Sequence, residues 1–382
     1  MQDPYEFRAT EFPTVTRRSP LMAAVEPGVP GTGPGEPMQT RRRLVRGLPG
    51  IAALLALGGA AGGARAQKPL DVVRFGAAAM GMPQAPILRA GVAPEIYAKH
   101  GIELRVTDMR GSATNTIVGQ LRGDFDVTSN GAGFVMDAIA EGADLKAISI
   151  TVRPMTDVFI SAKAMQKVGV KPTDPVDARL KALKGLRVGS NGGNSSSHWL
   201  NLYYLMQRAG MTAEDVQLVN ISDRNGMIAS IRNGQIDGGM WSTGGLSTLL
   251  TDRSAVRWIT FSRQDAPDMF DMPFSAMWAS SQWIEKNSDV AQRLVTAFEE
   301  ATQLMKSQKA KYSPMIKAKY FAAMEQDIWD DNFEQSLPAF VDGGRQTRAG
   351  WDKLVQQRVA VTKKDYSRAT FDRSVASFAQ QR

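Results

Sequence analysis

The chain has 382 residues, 43% hydrophobic and 22% charged, with a formal net charge of +8 and no cysteine. That apolar content can fill the cores of two ordinary domains, while the missing cysteine excludes disulfides, thiolate metal sites, thiol nucleophiles and a lipidated cysteine anchor. Nucleic acid is excluded as a partner despite the positive charge: residues 1–66 hold eight Arg against five acids, and the remaining 38 basic and 33 acidic residues are interspersed rather than striped.

Residues 1–37 carry Pro4, Pro13, Pro20, Pro27, Pro30, Pro34 and Pro37 among glycines and charges, without apolar periodicity. They are expected to be an unstructured leader or an over-long start. A basic segment at 40–46 then precedes an apolar run at 48–57 and the small-residue site Ala64-Arg65-Ala66. This order resembles a twin-arginine export signal over 38–66, cleaved after Ala66. The apolar run, broken by Pro49 and glycines, is shorter than the ~20 residues a bilayer span needs. With no other long apolar stretch, the expected product is an exported, soluble, periplasmic protein.

The rest alternates between strand and helix signals. Residues 72–79 read as a strand, 87–100 as a helix and 102–109 as a second strand, the order of βαβ units around a largely parallel sheet. The alternation continues to about 161. A second series opens with L-K-G-L-R-V-G-S at 183–190, followed by a helix over 196–209, a strand over 216–220 and a helix over 225–233. Two α/β lobes follow, with 67–161 and 262–382 forming lobe I and 162–261 forming lobe II. G-D-F-D at 123–126 and G-Q-I-D at 234–237 mark equivalent points in the two halves, each following a helix and opening a strand. Apolar positions at three- and four-residue spacing make 289–308 and 321–361 helical, packed on the first lobe with Trp329, Phe333 and Trp351 as core.

Ligands of open α/β sheets sit beyond the carboxyl ends of the strands, so the loops there carry the functional reading. The loop G-S-N-G-G-N-S-S-S-H-W at 189–199 lets backbone approach a ligand, and Asn194 or Ser195 can cap the following helix. Its free N–H groups and the hydroxyls of Ser195, Ser196 and Ser197 form a candidate site for a carboxylate or sulfonate; the competing reading is a plain helix cap. In the other lobe, Ser112, Thr114 and Asn130 occupy comparable loops. Arg224, or Arg153 after the 148–152 strand, is a candidate to neutralise an acid unless it pairs with Asp223 or Asp157. Met80, Met82 and Trp241 are candidate apolar walls, or core.

The succession G-S-x-T, G-D-F-D-V-x-x-N-G, L-K-G-L-R-V-G-S, S-S-S-H and G-x-I-D-G-G-M-W resembles the nitrate/sulfonate/taurine-type periplasmic binding proteins of ABC importers, within a superfamily that includes thiamine-pyrimidine synthases. The similarity runs over about 72–283. It implies an α/β, two-lobed type II periplasmic-binding-protein fold with C-terminal helices and a two-crossing hinge near 159–163 and 258–274. By position it implies ligand contacts from Ser112, Thr114, Asn130, Ser196, Ser197 and Trp241. The implied ligand is a small organic anion: a sulfonate, carboxylate or aromatic acid. The implied partners are an ABC permease and ATPase, with the binding protein a monomer, no cofactor and no catalysis. Where an aromatic pair is expected in the first-strand loop, this chain has Met80, Met82 and Pro83, which leaves the ligand open. Two other functions compete: a thiamine-pyrimidine-synthase-like enzyme, and a module that presents its ligand to a sensor kinase. Only two histidines occur, His100 and His198, and no nucleophile–base pair is visible. His100, at a helix end before Gly101, suits dipole capping.

Overall fold

The computed structural model describes residues 69–78, 81, 92–110, 112–261 and 265–381. The expected leader and export signal therefore lie outside the described residues, as do Met80 and Met82.

Two five-stranded mixed sheets organise the molecule. The first is ordered β2-β1-β3-β10-β4 and comprises β1 (Asp71–Ala77), β2 (Ile102–Asp108), β3 (Val127–Gly131), β4 (Lys146–Val152) and β10 (Ser275–Ala279). The second is ordered β7-β6-β8-β5-β9 and comprises β5 (Thr156–Ser161), β6 (Arg187–Ser190), β7 (Gln217–Asn220), β8 (Gly238–Ser242) and β9 (Ala255–Thr260). In each, three parallel strands are followed by one antiparallel strand that entered from the other half of the chain order, β10 against β3 and β5 against β8.

The strand boundary corrects one expectation. The sequence places residues 156–161 in the first lobe with a hinge crossing at 159–163, whereas β5 pairs with β8 and β9 in the second sheet. The chain thus passes between sheets at 153–155, before that strand rather than after it. The return passage lies between β9 and β10, at 261–274.

The repeated G-x-x-D motif has a structural cause. Asp126 Oδ2 accepts from the Arg74 main-chain N–H at 2.8 Å and Oδ1 from its guanidinium at 2.6 Å, while Gly123 O takes a further guanidinium N–H. Asp237 does the same for Arg187 N at 3.0 Å, and Gly234 O receives the guanidinium at 3.0 Å. Each motif pins the edge of a parallel strand pair to the helix behind it. The glycine in each is left-handed, φ 83° at Gly123 and 68° at Gly234, a conformation that L side chains rarely adopt.

Four helices position the loops of interest: α1 (Ala113–Arg122), α2 (Ala132–Ala140), α3 (Ser197–Arg208) and α4 (Arg224–Arg232). α5 (Ser288–Ser307), α6 (Gln326–Ser336) and α7 (Arg348–Thr362) follow near the C-terminus. The helix expected to run through 321–361 is interrupted between α6 and α7, where Pro338 and the left-handed Gly343 and Gly344 cannot continue it. Trp329, Phe333 and Trp351 are core, each at most 1% exposed. These helices do not serve the first sheet alone: Arg257 of β9 donates to Asp331 and Asn332 of α6, and Asn332 donates to Ser247. His100 pairs with Glu300 of α5 at 2.6 Å, which ties that helix end to α5 beyond any dipole effect.

Candidate functional site

The carboxyl ends of the parallel strands from both sheets face one cavity of about 450 Å³, within the size range of small-molecule sites. From the first sheet come Ala78 after β1, Asp108 and Arg110 at the end of β2, and Asn130 and Gly131 at the end of β3. From the second come Asn191 after β6, the start of α3, residues 222–225 after β7, and residues 241–245 across the end of β8. Phe134 of α2, Phe274 and Ser275 at the end of the return passage, and Phe321 and Met324 before α6 also line it.

Four of the expected residues meet here: Asn130, Ser197, Arg224 and Trp241. Asn130 is 1% exposed, and its amide donates to Ala113 O at 2.9 Å while accepting from Gly131 N at 2.8 Å, so it stiffens the loops that frame the cavity. Ser197 Oγ accepts from Gly133 N of α2 at 3.3 Å, joining the second half of the molecule to the first at the cavity floor. Arg224 does not pair with Asp223, whose Oδ2 instead accepts from Gly226 N at 2.6 Å and caps α4.

Other expectations land elsewhere. Ser112 caps α1 by accepting from Asn115 N, Thr114 is exposed, and neither lines the cavity. Ser196, rather than Asn194 or Ser195, caps α3: its Oγ accepts from His198 N and donates to Asn191 at 3.2 Å, and the residue is 0% exposed. Asn194 offers its carbonyl to Arg358 at 2.7 Å. Ser195 belongs to a short 3₁₀ turn, Gly193–Ser195, outside the lining. The capping reading therefore accounts for Ser196, and of the three hydroxyls only that of Ser197 sits at the cavity. Arg153 faces away and is held by Asp271 O and Gln346 at 2.9 Å; burial pushes its guanidinium down to about 10, partly opposed by the Asp271 charge. Asp157, its suggested partner, pairs with Arg257.

Sequence reasoning missed Arg110 and His198. Arg110 has φ 54°, held by its own N–H donating to Asp108 Oδ1 at 2.8 Å. Among the described residues neither Arg110 nor Arg224 has a carboxylate partner for its guanidinium, whereas Asp108 and Asp223 each accept a main-chain N–H. The positive charge at the cavity is thus the less committed one. His198, the second residue of α3, is 7% exposed, with the ring centroids of Trp241 and Phe274 6.3 and 5.1 Å away. Its Nδ1 is 2.9 Å from Thr156 Oγ1, and Asn201 donates to that same hydroxyl at 3.1 Å. Burial pushes the imidazole down to about 3, so it is neutral at ordinary pH.

The model of the NMT1/THI5-like family matches residues 92–311. The chain belongs to that family. This NMT1/THI5-like protein has no match among curated proteins, but its fold recurs in solved structures. The alkanesulfonate-binding protein SsuA from Xanthomonas axonopodis pv. citri, bound to MOPS, aligns with TM-score 0.61 and 16% identity over 79% of this chain and 99% of that one. The periplasmic nitrate-binding protein NrtA from Synechocystis PCC 6803 aligns with TM-score 0.51 and 14% identity over 72% and 73%. A Candida albicans gene product described as having the generic periplasmic binding protein structural fold aligns with TM-score 0.59 and 14% identity over 82% and 96%. The NMT1/THI5-like chain therefore has the periplasmic-binding-protein fold, as its motif order implied.

Proposed function

We propose that this chain is the solute-binding component of an ABC importer, exported to the periplasm, which captures a small organic acid between its two lobes and passes it to a permease and ATPase. The observation that carries the reading is the cavity itself: two arginines without carboxylate partners, one from each half, face a space walled by Trp241, Phe134, Phe274 and Phe321. Paired guanidinium forks suit a carboxylate or sulfonate, and the aromatic faces suit an apolar body attached to it. Contacts from both lobes make the closed arrangement the one the solute stabilises. Neighbours named for sulfonate and nitrate binding agree with an anionic cargo.

Calorimetric titration of the purified chain with sulfonates, carboxylates and aromatic acids tests this. Saturable binding of at least one acid, weakened at least tenfold in both Arg110→Ala and Arg224→Ala, is the expected result. Binding that neither substitution weakens would remove the basis for the assignment, and conversion of a bound acid into a product would replace it with an enzymatic one.

A further inference from the structure

His198 is unusual among the cavity residues because only one of its two ring nitrogens is spoken for. Thr156 Oγ1 takes the Asn201 amide N–H at 3.1 Å, so the hydroxyl's own proton is available for its other neighbour, His198 Nδ1 at 2.9 Å. A neutral imidazole that accepts at Nδ1 carries its proton on Nε2. Among the described residues, Nε2 meets only Ser242 Oγ, at 3.5 Å, too far for a good hydrogen bond. Both that serine and the imidazole line the cavity.

We propose that His198 is a specificity-determining donor: Thr156 holds the ring so that Nε2–H points at the acidic group of the bound solute. This deepens, and rests on, the solute-capture reading. The ring is packed near Trp241 and Phe274, with centroids 6.3 and 5.1 Å away, and its Nδ1 is tied to Thr156. Among the described residues, the side chains that hydrogen-bond to or stack near it are uncharged: Thr156 of β5, Trp241 and Ser242 of β8, and Phe274. The charged groups sharing the cavity are Asp108, Arg110, Asp223 and Arg224. Burial, which disfavours the imidazolium, keeps the donor neutral. A neutral donor fixed by packing rewards an acceptor at one position in space, whereas long arginine side chains tolerate several. The consequence is selection by the placement of the acid oxygen rather than by charge alone.

The test uses the full chain and four probes: methanesulfonate, benzenesulfonate, benzoate and succinate. In the ligand-free protein, nitrogen-15 NMR of the imidazole should show the neutral Nε2–H tautomer, and the probe that binds should shift the Nε2–H resonance. His198→Gln, which can place an amide N–H near Nε2, should bind that probe within about threefold of the native protein, and His198→Phe about ten- to a hundredfold more weakly. Thr156→Val should move the tautomer equilibrium and weaken binding without touching the solute. An Nδ1–H tautomer or an imidazolium in the ligand-free protein overturns the proposal whatever binds. Equal affinity of the native and His198→Phe proteins removes the donor role alone and leaves solute capture standing. Failure of the native protein to bind any probe removes both.

Discussion

Arg358 of α7 offers the sharpest quantitative prediction. Its side chain is 0% exposed, yet it is charged, and three elements share it: Asp137 of α2, the Tyr366 hydroxyl, and Asn194 O at 2.7 Å. Replacing it with Met keeps the volume but removes the ion pair and the bond to the turn that precedes α3. Breaking a fully buried pair costs about 3–5 kcal/mol, because the surviving charge is stranded. Asp137 is 16% exposed and keeps the Tyr366 hydroxyl, so part of its solvation is recoverable. The expected loss is therefore about 2–4 kcal/mol, seen as a fall in melting temperature of roughly 5–10 °C. Adding Asp137→Asn to Arg358→Met removes the stranded charge and should restore at least about 1 kcal/mol, measured by urea denaturation of the singles and the double. A single variant as stable as the native chain, or a double variant that loses the sum of both singles, would refute the reasoning.

Other consequences follow from the same contacts. A Cβ on Gly133 would lie 2.9 Å from Ser195 O and 3.2 Å from Leu200 Cδ1; Gly133→Ala should wedge α2 from the start of α3. Overpacking of about 1–3 kcal/mol is offset by about 1 kcal/mol of helix propensity, so solute affinity should fall more than melting temperature does. Ser196→Ala should cost about 1 kcal/mol of stability through the lost cap, with affinity nearly unchanged, whereas Ser197→Ala should show the reverse by calorimetry. Acid should destabilise the chain through His198. The unfolded chain takes up this proton near pH 6.5 and the folded one only near pH 3, so stability is lost as pH falls through that window. The slope reaches about 1.4 kcal/mol per pH unit, and urea midpoints of His198→Gln should lack that component.

Much of the architecture was readable from the chain because it is local. The strand–helix alternation and the repeated G-x-x-D motif arise from short-range patterns, and the motif aspartates proved to pin Arg74 and Arg187 in the same way. The interruption of the helix expected over 321–361 was missed, because the apolar spacing on either side outweighed Pro338 and the Gly343-Gly344 pair, which end the helical run. β5 was misassigned because a six-residue buried strand carries no mark of which sheet it joins; only its pairing with β8 decides that. The serine cluster misled for a related reason. A cap and an anion site use the same residue types, and the difference is whether the hydroxyl is already bonded, as Ser196 is to His198 N and Asn191. His198 escaped notice because nothing in its neighbourhood in the sequence announces Thr156, 42 positions earlier, or Phe274 beyond the second sheet.

The most direct test of the whole account is a crystal structure of the chain with an acid that binds it. The account predicts density for the acid group within reach of Arg110, Arg224 and His198, with its body against Trp241 and contacts from loops of both sheets. A solute seated outside that cavity, or held by one sheet's loops alone, would contradict it.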